Sequence, residues 1–174
     1  MRVAVVITVI VLVLAGLATA DWYVRNLELE QLVAATRGPS EEIDRWRTTR
    51  HEILSELPSA HFVTPEMRER AERQLGRAAA DAAEALEGST AELEAVSVRV
   101  PWHQGIRRAR DRYVDYTDAW VARLEQLARD PAAVEEPAPQ LTEARSASER
   151  AFRDAIPPVA LDGIDTSIER LFAG

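Results

Sequence analysis

The sequence predicts an all-α fold, an N-terminal transmembrane helix followed by an antiparallel bundle of about four helices. Three observations predict it. A long apolar run opens the chain and ends in an aromatic pair, Trp22-Tyr23. Beyond it, apolar residues recur every three or four positions, with proline or glycine punctuating the runs. Aromatics are only 6% of the 174 residues while alanine is abundant, which favours closely packed helices over a sheet.

The first element is the apolar run. Arg2 and the terminal amine give a positive start, and Val3 to Ala20 is interrupted only by Thr8, Gly16 and Thr19. As a helix it is about 27 Å long, close to the thickness of a bilayer's hydrocarbon core. Asp21 then falls at headgroup level, and Trp22 and Tyr23 are the candidate membrane-interface residues, because their rings favour that depth. A buried helix of a soluble protein rarely runs this long without a charge.

Ala18-Thr19-Ala20 also has the small-x-small form of a signal-peptidase site. Residues 1–24 therefore read as an anchor or a signal segment. The aromatic pair and a continuing stripe of Val24, Leu27, Gln31 and Ala34 favour the anchor. Both readings send the following domain across the membrane. Basic groups on the two sides are nearly balanced, Arg2 and the amine against Arg25 and Arg37. The short tail, with Asp21, Glu28 and Glu30 beyond the span, favours a plasma-membrane protein with its domain on the extracytoplasmic side. Cleavage after Ala20 would instead give a secreted protein.

Gly38-Pro39 is expected to break the first helix, with Ser40 capping a second that carries Ile43, Trp46, Ile53 and Leu57 and stops before Pro58. Thr64-Pro65-Glu66 supplies cap, proline and acid for a third, with Met67, Ala71, Leu75, Ala78, Ala82 and Leu86 on one face. Gly88-Ser89-Thr90 is expected to break or kink it, with two more turns to Val98. The fourth helix has the most regular stripe: Ile106, Ala109, Tyr113, Tyr116, Trp120, Leu124 and Leu127. Asp130-Pro131 ends it.

Residues 25–130 form the main bundle on this reading, and 131–139 are a proline-rich linker. Residues 140–174 are C-terminal helices packing on the bundle. One carries Leu141, Ala144, Ser148, Ala151, Phe152 and Ala155 and stops at Pro157-Pro158. A short one carries Leu161, Ile164, Ile168, Leu171 and Phe172, capped by Asp162 or Asp165.

Composition narrows the function classes. The formal charge is −8, so no nucleic-acid partner is expected. All 21 basic residues are arginine, a bias that fits a high-GC bacterial genome. There is no cysteine, hence no disulfide, thiolate zinc site or cysteine lipid anchor.

Chemical motifs are scarce. The histidines are His51, His61 and His103. None has a partner at metal-ligand spacing, and the Glu-x-x-His pattern of di-iron bundles is absent, so they read as surface or loop histidines. Nucleophile-elbow, phosphate-loop and dinucleotide motifs are absent. Glu135-Glu136 reads as a solvated pair in the linker. No catalytic group, metal or cofactor is expected.

The stretch Arg99 to Tyr113 departs from the acidic average, and Trp102 and His103 lie within it. Arg107, Arg108, Arg110 and Arg112 form a candidate anion-binding patch, since paired guanidinium groups grip phosphate or carboxylate. The plainer alternative is a solvated face with ion pairs from Arg107 to Asp111 and from Arg108 to Asp115 or Asp111.

The expected function is interaction: a single-pass, membrane-anchored scaffold or accessory subunit of an envelope complex. Its partners are the membrane, through the N-terminal segment, and one or more envelope proteins. The alternative is an extracytoplasmic ligand-sensing bundle.

Overall fold

The computed structural model describes residues 2–58, 63–158, 160 and 163–172, with backbone alone at 2–6 and 8. Among these residues the regular elements are all helical. They are α1 (Arg2–Ala35), α2 (Arg37–Ser55), α3 (Pro65–Glu94), α4 (Gln104–Arg129), α5 (Pro139–Ala155) and α6 (Ile164–Leu171), with a 3₁₀ turn at Pro131–Glu135. His61, Leu161 and Asp162 lie outside the described residues.

α1 changes character along its length. Side chains from Val9 to Ala20 are all exposed aliphatic or small groups. This part is long and apolar enough to cross a membrane. A soluble protein's core helix would bury such a run, and this one does not. From Asn26 onward the same helix enters the folded domain. Asn26, Glu28, Leu29, Leu32 and Thr36 are buried, and Val33 packs beside them. The expected stripe is therefore the wrong face, since Leu27, Gln31 and Ala34 are exposed. Turning Leu29, Leu32 and Val33 inward buries more aliphatic surface and leaves the Gln31 amide in water.

α1 and α2 are almost one rod. The expected break at Gly38-Pro39 does not occur, and Ser40 is not the cap. Thr36 joins the helices in near-helical geometry (φ −74°, ψ −10°). The Thr36 N–H donates to the Leu32 carbonyl and the Ser40 N–H to the Thr36 carbonyl, each at 3.1 Å. Pro39 sits in the first turn of α2, where proline's fixed φ suits the helix and its missing N–H is tolerated. Gly38 serves packing: a Cβ there would lie 3.4 Å from the Ser89 Cβ of α3.

α3 begins as its sequence requires, with the Thr64 hydroxyl accepting from the Met67 N–H at 3.3 Å. It is not broken at Gly88-Ser89-Thr90. The Ser89 and Thr90 hydroxyls instead donate back to the Leu86 carbonyl, at 3.0 and 2.8 Å, and the helix runs to Glu94. Its most buried line is Ala71, Leu75, Ala79, Ala83, Leu86, Thr90 and Leu93. Ala78 and Ala82 are half-buried, on the flank that meets Trp46 and Thr49 of α2.

α4 is central. It packs on α3 and on α5, and α3 also packs on α2. Ile106, Ala109, Tyr113, Tyr116, Trp120, Leu124 and Leu127 are all buried. Tyr113 meets Tyr116, Phe152 of α5 and Phe172 edge-on, with ring centroids 5.7 to 6.3 Å apart. Phe152 and Phe172 also meet, at 5.8 Å. Such edge contacts add about 0.5–1.5 kcal/mol each beyond area burial. Burial pushes the Tyr113 phenol far above its usual range, and its hydroxyl donates to the Thr36 carbonyl at 3.4 Å.

Within residues 131–139, Pro131–Glu135 form the 3₁₀ turn, which packs on α3 and α4. Ala133 is buried in the 3₁₀ turn, and Pro131 lies so near Gly76 that a Cβ there would approach its Cγ at 3.1 Å. Arg123 donates to the Ala133 and Glu136 carbonyls, and Arg50 reaches the Val134 carbonyl. α5 follows, with Ser148, Ala151, Phe152 and Ala155 buried. α6 starts at Gly163, whose φ of +93° suits glycine alone, and buries Ile164 and Ile168.

Trp120 separates two contributions to core stability. Its ring is buried and lies beneath the Arg47 guanidinium, 5.6 Å from the centroid, but its indole N–H finds no partner among the described residues. Trp120→Ala should cost about 3–5 kcal/mol in denaturant unfolding. Trp120→Phe keeps a ring and removes the orphan donor, so it should cost far less. Equal losses in the two variants would show that the ring is not a core anchor.

Candidate functional site

The most organised polar cluster lies where α1 leaves the apolar run. Asp21 and Glu28 are seven residues apart, two helical turns, and so share one face of α1. The connection between α3 and α4 runs along that face. Glu28 is buried, and its Oε1 accepts the backbone N–H groups of Arg99 and Val100 at 2.8 and 3.3 Å. Its Oε2 lies 2.7 Å from His103 Nδ1. Asp21 Oδ1 accepts the Trp102 indole N–H at 2.7 Å and lies 3.2 Å from His103 Nε2.

His103 is therefore not a surface histidine. Its side chain is only 3% exposed, with a carboxylate at each ring nitrogen. Each ring nitrogen thus faces a different carboxylate of α1. With both nitrogens engaged, the imidazole joins the two carboxylates into one clamp. Trp102 packs edge-on against it, with centroids 6.4 Å apart. A third tie lies nearby: Arg25 donates to the Ala155 carbonyl at the end of α5, at 3.0 Å. Asn26, fully buried, donates to the Trp22 carbonyl at 2.8 Å.

Sequence spacing could not reveal this cluster, because His103 lies 75 and 82 residues from its partners. One trace was present. Two acids seven apart on a helix just beyond a membrane span are an uncommon choice for a face that packs on protein.

The expected site residues are distributed differently. Trp22 is half-buried and Tyr23 is exposed, both in the turn that follows the apolar run. In the arginine stretch, Arg110 donates to the Val96 carbonyl at 2.9 Å and also to Asp111. Arg112 pairs with Asp115 at 2.9 Å. Arg107 and Arg108 make no side-chain hydrogen bond or ion pair among the described residues. The expected Arg107–Asp111 and Arg108–Asp115 pairs do not form, because nearer arginines hold those carboxylates. Two of the four guanidinium groups, Arg110 and Arg112, thus have partners of their own.

Open grooves run between neighbouring helices. One of about 350 Å³ between α3 and α4 is lined by Glu87, Thr90, Ala91, Glu94, Asp118 and Val121, among others. Partial burial, together with the negative charges of Glu94 and Asp115, raises the Asp118 carboxyl above its usual range. Among the described residues no group of three His, Asp or Glu side chains could hold a metal ion. No protein-family model, curated protein or solved structure matches the chain.

Two predictions follow from these charges. His103→Ala leaves the buried Glu28 carboxylate without one of its donors and should cost about 1–3 kcal/mol. Amide exchange at Arg99 and Val100 should accelerate, and unchanged exchange there would mean that the clamp does not hold the connection. For Asp118 the sign is opposite to that of a stabilising carboxylate. A raised pKa means that ionisation opposes folding, so the penalty is absent below the usual carboxylate range and grows as pH rises through the folded value. Asp118→Asn should raise the melting temperature at pH 7 and leave it unchanged at strongly acidic pH. The gain should stay within about 0.5 kcal/mol, as suits an exposed site.

Proposed function

We propose that this chain is a single-pass membrane protein, anchored by α1, with its helical domain on the extracytoplasmic side. We infer that α2 to α5 form an antiparallel four-helix bundle, and that the protein works by interaction, as a scaffold or accessory subunit of an envelope complex. The bundle reading is supported by successive helices packing on one another, α2 on α3, α3 on α4 and α4 on α5.

The observation that carries the anchoring is the continuity of α1. One helix passes from twelve consecutive exposed residues, Val9 to Ala20, into buried Leu29 and Leu32 without interruption. The Ala18-Thr19-Ala20 stretch lies inside this regular helix, with the Thr19 hydroxyl donating to the Ala15 carbonyl at 2.8 Å. That continuity supports the reading of an uncut span with Trp22 and Tyr23 at the interface. The short tail with Arg2 favours an N-terminus inside.

The interaction role rests on a core filled by side chains from every packed helix, with the grooves confined to the surface. Purification of the native protein in mild detergent tests both parts. Intact mass should include the residues before Asp21, and a stoichiometric partner should co-elute. A mature chain starting at Asp21 would remove the anchor. A monodisperse monomer without a partner would remove the interaction role.

A further inference from the structure

We propose that the connection between α3 and α4 is a second membrane contact, with Trp102 seated in the headgroup region beside Trp22 and Tyr23. The inference rests on the anchoring reading of α1 and adds a surface that the anchor alone does not require.

Trp102 is the starting observation. It is 70% exposed, more than any other described large hydrophobic residue, the aliphatic side chains of the apolar run included. An indole left in water on a folded domain is an uncommon expense of apolar surface. It is also held in place. Its N–H is bonded to Asp21, and the next residue, His103, is buried between two carboxylates. The ring face is thus presented by a fixed loop.

Its position selects the partner. The connection descends along α1 toward the apolar run. The Arg99 and Val100 amides bond at the level of Glu28, and the indole bonds at Asp21, about 10 Å lower along the helix. Asp21 directly follows the last residue of the run, and Tyr23, also exposed, is two residues further on. A bilayer that accommodates Val9 to Ala20 places its interface at this height. An indole whose N–H is already satisfied and whose face is free suits the boundary between acyl chains and headgroups. The exposed Arg99 side chain, on the same connection, is available to lipid phosphate. The acids that would oppose this approach are engaged, Glu28 by two amides and His103, and Asp21 by Trp102 and His103. A protein partner would also use an exposed tryptophan, but the coincidence in height with the end of the span favours lipid.

The test uses the full chain in vesicles of phosphatidylcholine and phosphatidylglycerol, with a parallel set carrying acyl-chain-brominated phosphatidylcholine. Subtracting the emission of Trp102→Phe from that of the intact protein isolates Trp102, and Trp22→Phe isolates Trp22 in the same way. Brominated lipid should remove most of the Trp102 component, and aqueous iodide should leave it nearly unchanged. A Trp22 component quenched by bromolipid beside a Trp102 component quenched only by iodide would overturn the second contact and leave the anchor standing. If bromolipid quenches neither, the anchor itself falls and this contact with it. Because the chain has no cysteine, Trp102→Cys carrying an environment-sensitive fluorophore gives an independent reading. Its emission should shift to the blue on reconstitution, and a water-like emission would count against the contact.

Discussion

α1 must satisfy two environments with one unbroken backbone. In its first part the aliphatic side chains point outward in every direction, and hydrogen bonds within the helix are the only partners its peptide groups need. Some two turns later the same helix buries Leu29 and Leu32 in the domain core. Between these limits lies a stretch that belongs neither to the apolar run nor fully to the core. There the chain places Asp21, Arg25, Asn26 and Glu28, and each has a partner. Arg25 holds the end of α5, Asn26 bonds its own helix, and the two acids take the loop amides, the indole and the imidazole. A buried carboxylate without donors would cost far more than the clamp gains, so Glu28 and the connection depend on each other.

Above this junction the domain is held by a division of labour between small and large side chains. α3 supplies alanines, which contribute little burial individually but let α2 and α4 come close. Gly76 against Pro131 is the same device at its limit, since a Cβ there would press on the proline ring and the Ala128 carbonyl. α4 supplies the bulk. Tyr113, Tyr116 and Trp120 project from it, and Phe152 and Phe172 meet Tyr113 from other elements. The turn at residues 131–136 is then tied to α4 and α2 through Arg123 and Arg50.

The helical class and most helix positions were legible because they rest on local rules. The Thr64 cap, the stop at Asp130-Pro131 and the stripe of α4 each follow from a few adjacent residues. The errors fall where a tertiary neighbour outweighed a local signal. Gly38-Pro39 resembles a helix break, but both residues suit a first turn packed against α3. Gly88-Ser89-Thr90 resembles a kink, but hydroxyl groups bonded back to Leu86 keep the helix intact. The face of α1 was misjudged because Leu27 and Leu29 are equally apolar, and only the position of the neighbours decides between them. His103 was opaque for a further reason. A search for metal spacing examines near neighbours in sequence, whereas its partners come from another helix.

The clamp also ties the apolar part of α1 to the domain. A helix in a bilayer is free to tilt and to rotate about its axis unless something outside the hydrocarbon restrains it. Here α1 continues almost straight into α2, so tilting the span tilts a long rod on which α3 packs. Rotation is blocked differently. Turning α1 by one residue, about 100°, would carry Glu28 away from the loop amides and bring Leu27 or Gln31 toward the core. That move would break three donors to one carboxylate and replace buried leucine with an amide. The acids beyond the apolar run therefore set the rotational register of that run relative to the domain. On the proposed anchoring, Asp21, Glu28 and His103 would thereby set the orientation of the domain to the membrane.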